Sequence, residues 1–158
     1  MNDNLGKEAE QKIWDWLDRS ADGYSFDRFY DQLSGYYLTR RNICDFVCYK
    51  SPNIYYIESK ATWNDRFDFD MIQDHQREGL LHKSKISGVH GWVIVLFATY
   101  KRAFKFNIQD IQDCIDHGIK SVNIKKIDKW TIPYKELETI SNSRKKLLDY
   151  TGEIESLI

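Results

Sequence analysis

Apolar residues along this chain follow two spacings, one typical of helices and one typical of strands. Intervals of three and four predict a first helix that begins at Asp3 or Asn4 and runs to about Arg19. Its apolar stripe comprises Ala9, Ile13, Trp16 and Leu17. The same spacing predicts a short helix or helical loop over 24–37 and a further helix over about 68–84.

Strand-like runs occupy the middle of the chain. The segments 42–49 and 54–60 are joined by a turn that contains Pro52, and together they predict an antiparallel hairpin. The apolar run from Trp92 to Ala98 predicts a central strand covered on both faces. Later patterns predict a partner strand over 103–108, a helix over 109–116 ending at Gly118, a strand or extended segment over 122–127 and a helix-like segment over 134–140. Helices that flank a mixed sheet define an α/β fold.

Three ionic side chains, Asp45, Glu58 and Lys60, fall within the predicted hairpin, where a sheet should be apolar. Because side chains alternate along a strand, Glu58 and Lys60 share one face, and strand pairing brings Asp45 alongside Glu58. Two neighbouring carboxylates repel each other unless a cation neutralises them, and a hard, oxygen-seeking ion such as Mg²⁺ suits them. The pattern therefore predicts a metal-dependent site, although a simple salt bridge between Glu58 and Lys60 has the same spacing.

Two further polar side chains border apolar helix faces. Glu10 lies beside the stripe of the first helix, and Gln76 shares a face with the apolar residues Phe69, Ile72 and Leu80. An unpaired buried amide costs about 1 to 3 kcal/mol, so Gln76 needs partners, which the carboxylate pocket would supply. The alternatives are a surface or capping role for Glu10 and a position at the helix edge for Gln76. His75, one residue off that face, is a weaker candidate for contacting phosphate.

Four segments of the chain carry a recognisable set of motifs: Gly6–Glu10, Ile43–Phe46, Tyr56–Thr62 and His75–Gln76. In order and nearly in spacing, they resemble the PD-(D/E)xK nuclease superfamily, and within it the RecU-type Holliday-junction resolvases and their phage relatives. The resemblance extends from about Gly6 to the region of Pro133. Cys44 stands where the superfamily has its eponymous proline, and the segment 20–41 has no room for the long stalk with which larger RecU-type proteins engage the junction.

The resemblance implies a restriction-endonuclease-like core, in which helices flank a mixed central β-sheet. It also implies a homodimer that hydrolyses the phosphodiester bonds of branched DNA, such as a four-way junction, in recombination. Asp45 and Glu58 would hold Mg²⁺, for which Mn²⁺ can substitute, and Lys60 would orient the attacking water or offset the charge of the transition state. Gln76 would tune the pocket, and Glu10 would complete the metal's coordination.

Composition limits the fold and the cellular location that the sequence is compatible with. The 158 residues, 42% of them hydrophobic, predict a single nuclease domain over 1–158 whose polar stretch 133–158 forms an arm. Cys44, Cys48 and Cys114 lack paired zinc spacing and are expected to be reduced core residues. The polar N-terminus and the lack of about 18 consecutive apolar residues predict a cytoplasmic protein without a membrane span. No glycine-rich phosphate loop is present, so no nucleotide cofactor is expected.

The formal net charge of −1 does not favour binding to nucleic acid. Lysine and arginine nevertheless cluster at 40–41, 83–85, 101–105, 120–129 and 144–146. A dipolar surface of this kind can still hold DNA, although each cluster alone is more simply a solvated face. Two alternatives therefore stand beside the resolvase: another structure-selective or restriction-like endonuclease, and a non-catalytic DNA-binding modulator of recombination in which Asp45 and Glu58 are structural.

Overall fold

A six-stranded mixed sheet forms the centre of the computed structural model, which describes residues 3–20, 22–30, 41–141, 144 and 146–153. Its strands, in spatial order, are β1 (Ser25–Arg28), β2 (Phe46–Lys50), β3 (Asn53–Thr62), β5 (Val89–Phe97), β6 (Arg102–Asn107) and β8 (Lys135–Glu136). Neighbouring strands are antiparallel except β3 and β5, which run parallel. Two small antiparallel pairs are β4 (Arg66–Asp68) with β7 (Ser121–Asn123), and β9 (Thr139–Ile140) with β10 (Asp149–Tyr150).

Helices cover both faces of the sheet and create two cores. The helices are α1 (Asp3–Arg19), α2 (Asp74–Ser84) and α3 (Ile108–Asp116). Along β5, Ile94 and Leu96 belong to the core beneath α1, whereas Val93 and Val95 belong to the core beneath α2 and α3. Strand alternation thus converts one continuous apolar run into two buried faces. The predicted α/β architecture, with helices flanking a mixed sheet, is confirmed.

Several elements agree closely with the sequence pattern. Helix α1 has the predicted bounds, and its predicted apolar stripe is buried. The hairpin is present as β2 and β3, and the predicted partner of the central strand is β6. Helix α3 ends before Gly118, whose φ of +80° is the left-handed conformation in which glycine commonly ends a helix.

Other elements differ because long-range pairing overrides local spacing. Residues 25–28 form strand β1 rather than a helix, because they pair with β2 and bury Phe26 against Trp14. The later apolar positions of that predicted helix, Leu33, Tyr36 and Tyr37, lie outside the described residues. Asp68 belongs to strand β4, which pairs with β7, and a 3₁₀ turn over Phe69–Met71 follows it. Helix α2 therefore begins only at Asp74, and the predicted start at about residue 68 was wrong.

The C-terminal third also departs from the pattern. A 3₁₀ helix over Ile124–Lys129 follows the short strand β7, so only the beginning of the predicted strand is extended. Residues 134–140 contain strands β8 and β9 rather than the predicted helix. The described residues of the expected C-terminal arm pack onto the domain: Tyr150 is buried and stacks on Trp16 with ring centroids 4.8 Å apart. Leucines 137, 147 and 148 join the same core.

The three cysteines are buried, as their sequence context predicts. Cys44, Cys48 and Cys114 are buried free thiols. Burial raises the pKa of the Cys44 thiol to about 12 and that of the Cys48 thiol to about 11. Within the described part of the chain, none of the helices has the length and apolar character that crossing a membrane requires.

Lys105 on β6 is a buried cation whose charge should cost stability. Burial, with a smaller contribution from Lys135, lowers the pKa of Lys105 from 10.5 to about 8. The folded state therefore disfavours the protonated amine, so the cost is fully present below pH 8 and disappears as the pH rises toward 10.5. We expect Lys105→Met to raise the free energy of unfolding at pH 7 by about 1 to 2 kcal/mol, after allowance for partial solvent screening.

Urea denaturation of wild type and Lys105→Met in phosphate-free buffer at pH 7, 8, 9 and 10 measures this difference. The gain in stability should shrink as the pH increases. Lys126→Met, which removes the same charge from an exposed position, should change stability little at any of these pH values. A gain from Lys105→Met that persists undiminished at pH 10 would show that packing, and not charge, is responsible.

Candidate active site

The side chain of Asp45 is held beside β3 by two backbone contacts. Asp45 lies one residue before β2, rather than inside the strand, and its N–H donates to the carbonyl of Ile57 at 3.1 Å. The β2–β3 ladder therefore extends one residue further. The Asp45 carboxylate in turn accepts the N–H of Ser59 at 2.7 Å. Because Ser59 separates Glu58 from Lys60, the aspartate is fixed next to the two other ionic residues.

Glu58 is almost completely buried, with 1% of its surface exposed. Its Oε1 accepts hydrogen bonds from Gln76 Nε2 at 2.7 Å and from Lys60 Nζ at 2.8 Å. Its Oε2 is also buried but has no hydrogen-bond partner among the described residues. Leaving a buried charged oxygen unpartnered is costly, so this atom marks a position where a bound cation would be stabilising.

Gln76 joins the start of α2 to the two ionic residues. Its Oε1 accepts from Lys60 Nζ at 3.0 Å and from the backbone N–H of Gln73 at 3.1 Å, as part of the capping box that begins the helix. Its amide nitrogen donates to Glu58. The partners that a buried glutamine requires are therefore those predicted from the sequence. The neighbouring His75 instead contacts the carbonyl of Asn42 through Nε2 at 3.1 Å.

Glu10 reaches the site from the opposite layer, on α1. It pairs with Arg28 of β1, whose Nη2 lies 3.0 Å from Glu10 Oε2, and its charge is close enough to raise the pKa values of Asp45 and Glu58. The Arg28 guanidinium is enclosed by the rings of Tyr30 and Phe46, with centroids 5.0 and 5.8 Å from its central carbon. The structure thus brings together all five residues predicted from the sequence.

Arg28 contributes a cation to this cluster that the sequence pattern did not predict. The available signal was the alternation of Phe26 and Arg28, because in a strand both point to the face covered by α1. Helical spacing of the surrounding aromatics concealed that signal.

Burial and mutual repulsion make the acidic cluster unfavourable without a cation. Burial raises the pKa of Asp45, and the charges of Glu58 and Glu10 raise it further. Burial also raises the pKa of Glu58, while Lys60 opposes that shift. Within the described ranges, no group of three or more His, Cys, Asp or Glu side chains is arranged as a metal site. The donor set nevertheless fits Mg²⁺, which retains several waters and needs only one or two carboxylates.

Comparison with known proteins places this chain in a family. The family model of RecU, described as Recombination protein U, matches residues 25–156. The chain therefore belongs to the RecU family, and the resemblance noted in its sequence is confirmed. A comparison with curated protein sequences found no match. Among solved structures, the chain is similar to Hjc, a Holliday junction resolvase from the archaeal hyperthermophile Archaeoglobus fulgidus, with 17% identity, a TM-score of 0.46, and coverage of 66% of this chain and 78% of that chain.

Proposed function

We propose that this protein is a metal-dependent endonuclease that hydrolyses DNA phosphodiester bonds, with four-way junctions formed in recombination as its substrate. The buried Glu58 carboxylate carries the proposal: one oxygen is held by Lys60 and Gln76, and the other has no partner among the described residues. Membership of the RecU family supports the link to recombination. An ionic cluster this deeply buried is costly for the fold, which favours a functional explanation over a structural salt bridge.

Asp45 and Glu58 would hold the divalent ion, Mg²⁺ or in its place Mn²⁺. When bound, such an ion polarises the phosphate and lowers the pKa of a water molecule. Lys60 has three ammonium N–H groups, of which two are directed to Glu58 and Gln76. The third can orient the attacking water or a phosphate oxygen, next to the carboxylates. Gln76 keeps the ammonium and the Glu58 carboxylate in this arrangement, because it accepts a hydrogen bond from the first and donates one to the second.

Arg28 would act through Glu10, as a positioning residue. Its guanidinium is one-tenth exposed and donates to Glu10 Oε2 and to Gln11 Oε1, each at 3.0 Å. We expect Arg28→Met and Glu10→Gln each to lower the cleavage rate by about 10- to 30-fold, because each removes the same ion pair from the edge of the acidic cluster. The double variant should be little worse than the more impaired single variant.

Single-turnover cleavage rates and calorimetric Mn²⁺ binding by wild type, the two single variants and the double variant measure this coupling. Arg66→Met is the matched control, because Arg66 pairs with Asp68 on the exposed surface. Losses that multiply in the double variant would show that Arg28 and Glu10 act independently. A loss of rate without weaker Mn²⁺ binding would show that Glu10 does not contribute to metal binding.

A different structure-selective endonuclease is the second candidate. The sequence between β1 and Asp45 is short, which favours a protein without the long junction-binding stalk of larger RecU-type proteins. The choice of substrate follows from an assay with a labelled immobile four-way junction, a matched linear duplex and a flap, with and without Mg²⁺, with Glu58→Gln as the inactive control.

Each outcome of that assay supports a different function for the protein. Symmetric Mg²⁺-dependent nicks in the junction support a resolvase and a homodimer that places one site on each of two strands. Preferred cutting of the flap or duplex supports the second candidate. Tight DNA binding without any cutting would contradict both and would favour a non-catalytic modulator of recombination.

A further inference from the structure

Lys105 lies on the face of the sheet opposite Glu58 and Lys60. It pairs in register with Ile94, which pairs with Ser59, so its side chain extends to the α1 side. Only 7% of its surface is exposed, and its ammonium lies 4.1 Å from the ring centroid of Trp92. In the described part of the chain, no carboxylate is close enough to raise its pKa. Lys105 is therefore a nearly buried lysine without an acidic partner among the described residues.

Two other donors lie beside this ammonium. Lys135 of β8 is directly opposite Lys105 in the antiparallel pairing and is exposed. The indole Nε1 of Trp92 is buried and has no acceptor among the described residues. Three hydrogen-bond donors, two of them cationic, thus occupy one region that offers no partner acceptor from the described chain. Together they form what we call the Lys105 cluster: Lys105, Lys135 and Trp92.

The cluster is unfavourable without a ligand for three reasons. Like charges opposite each other on adjacent strands repel. A buried indole N–H without an acceptor loses its hydrogen bond to water and gains nothing in return. Contact with an aromatic face compensates only part of the cost of removing an ammonium from water. A bound anion would relieve all three, and a phosphate group offers several acceptor oxygens for donors that approach from different directions.

We propose that Lys105, Lys135 and the indole N–H of Trp92 form a phosphate-binding site on the α1 face of the sheet, separate from the carboxylate site. The phosphate belongs either to a nucleic-acid backbone or to a free phosphorylated molecule. The first source rests on the proposed function, because it requires DNA as the substrate. The second source does not. In both cases the phosphate bound here is not the one that is cleaved, because the sheet separates it from Glu58.

Nuclear magnetic resonance of the Trp92 indole N–H tests the site directly. The resonance is assigned among those of the five tryptophans by its loss in Trp92→Phe. Sodium phosphate should shift it saturably, whereas sodium chloride at equal ionic strength should not. Lys105→Met and Lys135→Met should each weaken the phosphate affinity by about tenfold or more, and Lys126→Met, at an exposed lysine, should leave it unchanged. Equal shifts in chloride, or unchanged affinity in both variants, would overturn the site.

A second arm identifies the source of the phosphate. A four-way junction is added, without divalent ions, to protein saturated with inorganic phosphate. If the junction displaces phosphate from Trp92, and Lys135→Met lowers the salt dependence of junction binding by about one unit of slope, the ligand is a backbone phosphate. If the junction binds while phosphate remains at Trp92, the site takes a free phosphorylated molecule. Both outcomes support the site.

The experiments test the phosphate site and the endonuclease activity separately. A protein that cuts junctions but shows no specific phosphate response at Trp92 contradicts only the Lys105 cluster. A protein that responds to phosphate at Trp92 but cuts no DNA with any divalent ion contradicts only the endonuclease. Because Lys135 is exposed, Lys135→Met keeps the test valid even if substitution of Lys105 disturbs packing.

Discussion

Replacement of Glu58 by glutamine is expected to lower the rate of DNA cleavage by at least about 1000-fold while the fold is retained. Glutamine keeps the oxygen that accepts hydrogen bonds from Lys60 and Gln76. It replaces the unpartnered Oε2 with an amide nitrogen, which donates hydrogen bonds and cannot hold a cation. The substitution therefore removes the charge that we propose holds the metal, and it keeps the acceptor for Lys60 and Gln76. Single-turnover cleavage of a labelled junction measures the loss of activity.

Thermal unfolding provides a second measurement of the same substitution. Without divalent ions, Glu58→Gln should unfold at a higher temperature than wild type at neutral pH, because burial outweighs the ion pair with Lys60 and raises the pKa of Glu58, so that its charged form destabilises the fold. Mg²⁺ at about ten times its dissociation constant should stabilise the wild type by about 1.4 kcal/mol and Glu58→Gln hardly at all.

Glu136→Gln is the matched control for both measurements, because Glu136 forms an exposed ion pair with Arg102. It should cleave at the wild-type rate and gain the wild-type stabilisation from Mg²⁺. Cleavage by Glu58→Gln within tenfold of the wild-type rate would show that Glu58 is not part of the active site. Equal stabilisation of wild type and Glu58→Gln by Mg²⁺ would place the ion elsewhere.

Replacement of Lys60 by alanine is expected to reduce cleavage by about 100- to 1000-fold. The ammonium can act in two ways that the substitution removes together. It lowers the pKa of Glu58 and so favours the carboxylate form that would hold the metal, and in the proposed mechanism it offers an N–H to the attacking water or the phosphate. Mg²⁺ titrations of the cleavage rate separate these effects, because excess Mg²⁺ compensates only for weakened metal binding.

We expect saturating Mg²⁺ to recover less than a tenth of the activity that Lys60→Ala loses. Gln76→Leu is the appropriate comparison, since it removes hydrogen bonds to the same two ionic residues but removes no charge, and a loss of about tenfold is expected for it. Full recovery of Lys60→Ala at high Mg²⁺ would limit Lys60 to tuning the carboxylates. A loss in Gln76→Leu as large as that in Lys60→Ala would indicate that Gln76 contacts the substrate itself.

Local pattern was sufficient to predict much of this structure. The helical stripe of α1 and the apolar run of β5 are long, so their periodicity is unambiguous. Strand alternation placed Glu58 and Lys60 on one face, and a short turn placed Asp45 beside them. Gln76 could be predicted because a polar residue on an apolar helix face requires partners.

Other features depend on contacts between distant segments. The sequence did not predict a role for Arg28, because the aromatic spacing around it fits a helix. Only the pairing of β1 with β2 shows that Arg28 lies on a strand. The start of α2 follows from the pairing of β4 with β7. This pairing joins Phe67 to Val122, which are more than 50 residues apart in the sequence. The short strands β8, β9 and β10 are too brief to produce a periodic pattern of their own.

The sequence by itself determined the α/β class, the RecU resemblance and the pairing of Asp45 with Glu58, because each depends on residues close together in the chain or on an ordered set of motifs. Only the tertiary structure decided that Glu58 Oε2 is unpartnered, that Arg28 holds Glu10, and that Lys105 is buried beside Lys135. Burial and partner choice depend on which distant side chains arrive at a given place, and no local spacing encodes that information.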